Sequence, residues 1–228
     1  AFELGYSSGP TQVRALATRE YDAFGRVVSE FDSRFNERRY AYDRLGRTVT
    51  VTDPLSQSRH TGYDAFGRVL TQTDALGHTT TYAYDDAARR FTVTTPEGIA
   101  TSTAANAHGE TVSITDGNGQ TTTYVYDKNG NLTAVTQAAG TLNLTTTTGY
   151  DHAGLKTETR DANGTVTRFE YDAANRLVSR TVDPYDAATN PDGLDLTTVY
   201  RYDGQGRVVL TVDANGTATV TQYDRNGQ

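Results

Sequence analysis

The sequence predicts an all-β fold, an antiparallel meander of about twenty short strands built from 21-residue hairpin repeats. Three observations predict it. A Tyr-Asp pair recurs at a fixed interval, two turn signals punctuate each interval, and the composition suits a pleated surface better than a helix.

The metre is set by Tyr21-Asp22, Tyr42-Asp43, Tyr63-Asp64, Tyr84-Asp85, Tyr126-Asp127, Tyr150-Asp151, Tyr171-Asp172, Tyr202-Asp203 and Tyr223-Asp224. The interval from 84 to 126 is 42, twice 21, and Ala105-Asn106 at its midpoint is a degenerate tenth copy. Intervals of 24 and 31 residues, after Tyr126 and Tyr171, read as insertions of 3 and 10. A fixed period in this range marks a repeat architecture, in which each unit buries its surface only against its neighbours. The domain reading is therefore one array over 1–228, with an insertion at 183–195, ending in mid-repeat as a fragment of a larger assembly.

Each repeat reads as turn, strand, turn, strand. The first turn is Asp-x-x-Gly. Its Asp bonds the backbone two residues on, and its Gly takes a positive φ without steric cost. The glycines are Gly25, Gly46, Gly67, Gly109, Gly130, Gly154, Gly206 and Gly227, with Asn175 and Ala88 as exceptions. The second turn is intact at Asp74–Gly77, Asp116–Gly119, Asp161–Gly164 and Asp213–Gly216 and eroded elsewhere. Turns alternate every 10 or 11 residues, which leaves strand-length segments too short for helices and their connections. Within them Val49 and Val51, Phe91 and Val93, and Val112 and Ile114 point to one side, and Thr48 and Thr50, Arg90 and Thr92, and Thr111 and Ser113 to the other. An aromatic two residues before the key Tyr (Tyr40, Tyr82, Tyr124, Phe169, Tyr200) predicts aromatic ladders from hairpin to hairpin. About twenty strands would make an open sheet on the order of 95 Å wide, so the sheet is expected to wind or close.

Composition agrees. Only 36% of the residues are hydrophobic, Trp and Met are absent, mean hydropathy is -0.61, and Thr and Tyr number 40 and 15. That is thin for a conventional core but right for half-buried strands. Without Cys there is no disulfide framework, Cys-ligated zinc or thiol nucleophile. No apolar run approaches 18 residues, so no membrane-spanning helix is expected. Net charge is -7 with the signs interspersed, and without a basic stripe nucleic acid is not expected as a partner.

The heptapeptides Tyr63-Asp64-Ala65-Phe66-Gly67-Arg68-Val69 and Tyr202-Asp203-Gly204-Gln205-Gly206-Arg207-Val208 resemble the signature of the Rhs/YD-repeat family, over about residues 11 to 228. That family includes bacterial polymorphic toxins, the C component of insecticidal Tc toxins and the animal teneurins. Its repeats wind into a hollow β-shell, which in the toxins encloses a C-terminal cargo domain. The resemblance implies a bacterial, secreted or cell-surface shell segment for toxin delivery, whose partners are the remaining YD repeats and an enclosed toxin or cargo domain. Neither Asp53-Pro54 nor Asp183-Pro184 sits in the context at which shells of this family cleave themselves, so self-cleavage is not expected, and no toxin or plug domain follows in this sequence.

No residue constellation points to catalysis, and neither an enzyme activity, a cofactor nor a metal is expected. Paired carboxylates recur in every unit, whereas an active site is one convergent cluster. Asp127-Lys-Asn-Gly-Asn131 resembles the start of a calcium loop but has Leu132 and Ala138 at the sixth and twelfth positions. His60, His78, His108 and His152 fall in separate repeats with no paired spacing. The Arg after the turn glycine (Arg26, Arg47, Arg68, Arg89, Arg176, Arg207) is expected to stack on a tyrosine or meet a turn Asp of the adjacent hairpin, with anion binding as the other option. Tyr185-Asp186 is out of register and reads as a decoy. Two alternatives stand: a β-propeller with 42-residue blades, and an adhesive, cell-surface-glycan-binding surface made by the tyrosines.

Overall fold

Most of the Asp-x-x-Gly signals fold into a turn closed by the same set of hydrogen bonds. In the first, Asp22 Oδ1 accepts from the backbone N–H groups of Phe24 and Arg26 at 2.9 and 3.0 Å. The Gly25 N–H donates to the Asp22 carbonyl at 3.1 Å, and the Asp22 N–H to the Arg26 carbonyl at 2.9 Å. Asp64, Asp127, Asp151, Asp172 and Asp203 accept from the same two positions. So do Asp32, Asp53, Asp74, Asp161 and Asp213 in the second turns. One side-chain oxygen thus satisfies two backbone donors that the turn takes out of the strand ladder.

The glycines of the first turns have φ between 69° and 84°, and Asn175 has 62°. Ala88 departs from expectation: the left-handed residue there is Arg89, at 48°, one position later, while the Ala88 N–H donates to Asp85 Oδ1. Two eroded second turns keep their geometry without glycine, because Phe35 and Ser56 adopt φ of 63° and 64°.

The structure, a computed structural model, describes residues 6–7, 14–15, 17–186, 188–224 and 227. Among them no helix occurs, and 21 strands form. They fall into two compact units, residues 1–104 with 116–119, and residues 105–115 with 120–228.

In the first unit β1 (Tyr6–Ser7) pairs with β2 (Arg14–Ala15). The strands β3 (Ala17–Tyr21), β4 (Val27–Asp32), β5 (Glu37–Tyr42), β6 (Thr48–Thr52), β7 (Ser58–Tyr63), β8 (Val69–Thr73), β9 (Thr79–Asp85), β10 (Arg90–Thr94) and β11 (Ala100–Ala105) follow, each antiparallel to the next. The second unit repeats the pattern through β12 (Thr111–Thr115), β13 (Thr121–Tyr126), β14 (Leu132–Gln137), β15 (Leu144–Tyr150), β16 (Lys156–Arg160), β17 (Val166–Tyr171), β18 (Leu177–Val182), β19 (Leu196–Tyr202), β20 (Val208–Val212) and β21 (Ala218–Val220).

A register shift recurs immediately before the key tyrosine at Tyr21, Tyr63, Tyr126, Tyr150, Tyr171 and Tyr202. One extra residue on the partner strand at each of these points bends it and increases the local twist. The pairing of β5 with β6 lacks the shift, and there the Asp43 N–H donates to the Thr48 carbonyl, five residues on, where Asp22, Asp64, Asp127, Asp151, Asp172 and Asp203 donate to the carbonyl four residues on.

The alternation of faces holds: Thr48, Thr50 and Thr52 pair with Gly62, His60 and Ser58, while Val49 and Val51 pair with Thr61 and Arg59. The abundant threonines bond across strand pairs, as in Thr73–Thr79 at 2.8 Å, Thr136–Thr145 at 2.8 Å and Thr181–Thr197 at 2.8 Å. No deep core exists among the described residues, where only Ser29, Ala104 and Pro184 are buried. Stability therefore resides in ladders and turns.

A left-handed non-glycine residue costs about 1–2 kcal/mol, and glycine returns roughly 0.5–1 kcal/mol of that through the entropy of the unfolded chain. Phe35→Gly and Ser56→Gly are each expected to stabilise the chain by about 0.5–1 kcal/mol, read as a higher thermal midpoint. Gly67→Val should lower the midpoint more than Tyr63→Phe, because a β-branched residue at φ of 79° is strained while the tyrosine ring keeps its packing.

Candidate functional site

The residues of the repeat signature meet in a clasp that joins one hairpin to the next. Arg26 donates from Nε to Asp22 Oδ2 at 2.7 Å, and its Nη2 lies 2.7 Å from the same oxygen. So fixed, its guanidinium carbon stands 4.3 Å from the centre of the Tyr42 ring, in the following repeat, and 5.3 Å from that of Phe24 in its own turn. The Tyr42 hydroxyl donates back to the Val27 carbonyl at 2.9 Å. Arg68 over Tyr84, Arg176 over Tyr202 and Arg207 over Tyr223 repeat the stack at 4.3, 4.8 and 4.4 Å. Tyr150, Tyr202 and Tyr223 repeat the hydroxyl bond, to Leu132, Leu177 and Val208.

This clasp replaces the predicted aromatic ladder. Key tyrosines one repeat apart are separated by two strand spacings, about 9.6 Å, beyond the roughly 7 Å at which ring centres interact. The flat guanidinium fills the gap, held in plane by its own turn Asp. Ring pairs among the described residues are Tyr82–Phe91 at 6.2 Å and Tyr84–Phe91 at 5.0 Å, both within one hairpin. Tyr40 and Tyr82, which the ladder would have stacked, bond to Glu30 and Gln72 through their hydroxyls. Of the two placements expected for the arginines, stacking on the next tyrosine holds at Arg26, Arg68, Arg176 and Arg207 but not at Arg47, nor at Arg89, where Ala105 stands in place of the next tyrosine. Pairing with an adjacent-hairpin Asp appears at Arg68, which reaches Asp86 at 2.6 Å as well as Asp64 at 2.7 Å.

Other copies vary the chemistry, and the copy that begins at Tyr150 has Leu155 at the Arg position, with only its backbone N–H on Asp151. Asn131 takes the place of Arg and donates from Nδ2 to Asp127 Oδ2 at 2.9 Å. The degenerate copy exchanges the partners: Asn106 accepts from the His108 and Glu110 N–H groups and donates its own Nδ2 to Glu110 Oε2 at 2.7 Å. The signal was available, since Asn131 and Glu110 occupy the Arg position of the metre. At Arg47 the missing register shift leaves only the backbone N–H on Asp43 Oδ1.

The carboxylates respond to this environment. Asp22 is held below the ordinary value chiefly by the Arg26 N–H, against a desolvation that raises it, and Asp203 likewise by the Arg207 N–H. The Arg176 guanidinium does the same for Asp172. Burial raises the Tyr42 phenol.

His60 and His78 line one pocket, each bonded within its own surroundings. His60 Nδ1 meets the Thr50 hydroxyl at 2.8 Å, and His78 Nδ1 meets Asp74 at 3.2 Å. Among the described residues no group of three His, Cys, Asp or Glu could hold a metal ion. No helix among them is long and apolar enough to cross a membrane.

The RHS Repeat family matches residues 21–58, 63–100, 106–142 and 150–188, more than half of the sequence. The chain belongs to the RHS repeat family. The matched blocks open on Tyr21, Tyr63, Asn106 and Tyr150, at the start of a turn each time, so each block takes in two successive hairpin units. No curated protein sequence matches the chain. Among solved structures, the crystal structure of TcdB2-TccC3-TEV is similar, with a TM-score of 0.56 and 14% identity over 95% of this chain and 13% of that one. TcdB2-TccC3 gives 0.48 and 15%, over 88% and 12%. The Tc holotoxin pore of Photorhabdus luminescens gives 0.42 and 17%, over 86% and 13%. The first of these establishes likeness of fold, and this RHS repeat chain spans 13% of its length.

Tyr42→Phe removes the bond to Val27 but keeps the stacked ring, and should cost about 1 kcal/mol, measured by denaturant titration. The pH dependence follows from the depressed carboxylates. A group whose folded value lies below its unfolded one, about 3.9 for Asp, stabilises the fold above that value and ceases to do so as pH falls through the folded value. The thermal midpoint is expected to hold from neutral pH down to the ordinary Asp range and to drop below it, and Asp22→Asn should flatten that drop.

Proposed function

We propose that this RHS repeat segment is a wall piece of a hollow β-shell that encloses a toxin or cargo domain for delivery. The observation that carries the reading is the clasp: candidate acids, bases and cations sit at repeated positions where their groups are consumed in holding one hairpin to the next. A surface built this way is continuous, needs no deep core and offers no single convergent cluster for turnover. Family membership and the fold likeness to TcdB2-TccC3-TEV support the same reading.

On this reading the signature residues from Tyr21, Asp22 and Gly25 through Tyr223, Asp224 and Gly227 act as structural repeat positions of a single array over 1–228, with 183–195 inserted into it. The segment acts passively, without a cofactor. Its partners are further YD repeats and the enclosed domain, and its place is outside the bacterial cell or at its surface.

Protease protection in the parent protein tests this. Excision of residues 43–84 removes two whole repeats in phase, and local stability predicts that the remaining hairpins stay folded by circular dichroism. The enclosed domain should then be cut by added protease several times faster. Equal protection with and without those repeats overturns the wall reading.

A further inference from the structure

One copy of the clasp stands open, and a groove lies where it would close. Its parts are all present, with Asp43, Gly46 and Arg47 in the repeat that begins at Tyr42 and Tyr63 in the next. They do not assemble. Without the register shift the Asp43 N–H donates to the Thr48 carbonyl at 3.1 Å. The carbonyl at that place in the metre takes the tyrosine hydroxyl at Val27, Leu132, Leu177 and Val208, so here the acceptor is already engaged. The Arg47 carbonyl in turn accepts from the Tyr63 N–H at 2.6 Å, a bond to the next strand in place of one within its own turn. Where Arg26 fills its clasp, a Cβ on Gly46 would meet the Arg26 Nη1 at 3.3 Å, whereas on Gly67, at the corresponding place, it would meet nothing within 4 Å. Asp43 and Arg47 are exposed, while Asp22 and Arg26 are half-buried.

The groove runs between the 43–46 and 64–67 turns and has a volume of about 570 Å³. Its walls sort into two classes. Leu45, Val49, Ala65 and the ring of Tyr63 are apolar, and the charged side chains are Arg47 and Asp64. Asp64 is neutralised by Arg68 at 2.7 Å. Arg47 spends only its backbone N–H, on Asp43, and its guanidinium meets no carboxylate and no ring among the described residues. Asp43, turned to solvent, is not on the walls. The groove therefore sets one uncompensated positive charge beside an apolar floor. On either side the turn tips Leu45 and Phe66 are 71% and 82% exposed.

We propose that this groove docks a polypeptide segment in which an acidic residue adjoins an apolar one. The carboxylate pairs with the Arg47 guanidinium, whose planar fork matches it. The apolar side chain lies on the Tyr63 ring, with Leu45 and Val49 beside it. A volume within the roughly 300–1,000 Å³ of ligand sites accommodates both. The occupant is a chain and not a small acid, because the groove lies between two projecting tips, Leu45 and Phe66, which offer apolar contact that a small acid leaves uncovered. A basic segment is disfavoured by like charge at Arg47. The site lies on a turn edge and needs no enclosed domain, so it does not depend on the wall reading.

The chain has no Trp, so the emission of a tryptophan-bearing probe reports binding without background. The full chain is titrated against the blocked peptide Gly-Glu-Trp-Leu-Glu-Gly, its counterpart Gly-Gln-Trp-Leu-Gln-Gly and the small acid indole-3-acetate. The acidic peptide should saturate with a blue-shifted emission, and the other two should bind about tenfold more weakly. Arg47→Gln should weaken the acidic peptide by about tenfold with the thermal midpoint unchanged, because that side chain has no ion pair to lose. Leu45→Ser alters an exposed tip and should weaken it several-fold, which keeps the test decisive if the Arg47 variant fails to fold. Lys156→Gln, at an exposed strand position in the second unit, should leave binding as it is. Absence of saturation, equal binding of the glutamine peptide or of indole-3-acetate, or groove variants that bind like the unaltered chain would each overturn the assignment.

Discussion

The turn aspartate carries two separate duties with its two oxygens. Oδ1 closes the turn by accepting from backbone N–H groups two and four residues on, and Oδ2 holds the arginine that reaches the next hairpin. Local folding and neighbour-to-neighbour cohesion therefore pass through one carboxylate. The tyrosine completes the link from the other side, its ring under the guanidinium and its hydroxyl on the preceding strand. Each such ion pair is partly exposed and modest alone. Their effect comes from recurrence, each clasp fixing the orientation of the hairpin that supplies the next.

A structure of this kind has no reason to bury large side chains. Phe24, Phe66, Leu55 and Leu76 are each at least 80% exposed, whereas the buried residues are small. Threonine takes the place of the usual core residue, because its hydroxyl finds a partner across the strand pair while its methyl packs on the pleat. Polar pairing on a half-wet surface also makes the fold tolerant of copy-to-copy change. Asn131 and Glu110 close their turns with different charges and leave the backbone of the turn unaltered.

That tolerance explains where variation concentrates. The copy at Asp43 drops the register shift, and its arginine leaves the carboxylate. The copy after Tyr84 moves its left-handed residue by one position. The repeat beginning at Tyr171 keeps its first turn intact and spends its whole insertion on the second, where a strained and braced loop opens a polar cleft. Loops tolerate such growth because closure entropy rises slowly with length.

The turns were legible in the sequence because their hydrogen bonds join residues two to four apart, so the turn Asp, usually with Gly, marked their geometry, and Asp53 keeps it even where Ser56 stands for glycine. Strand number, antiparallel order and the alternation of Val49 and Val51 against Thr48 and Thr50 followed from the spacing of those turns. The partner of each arginine did not. Whether a ring two strands away touches another ring or a guanidinium depends on a distance of two strand spacings and on a register shift before the tyrosine, and neither is encoded in any one repeat. Tertiary structure decided that Arg68 lies over Tyr84 and bonds Asp86, that Arg47 does neither, and that Tyr185-Asp186, out of register in the sequence, belongs to a braced loop whose Asp186 faces a cleft. Bonds within a turn need only the chain's own backbone, whereas contacts between hairpins need the sheet that places them.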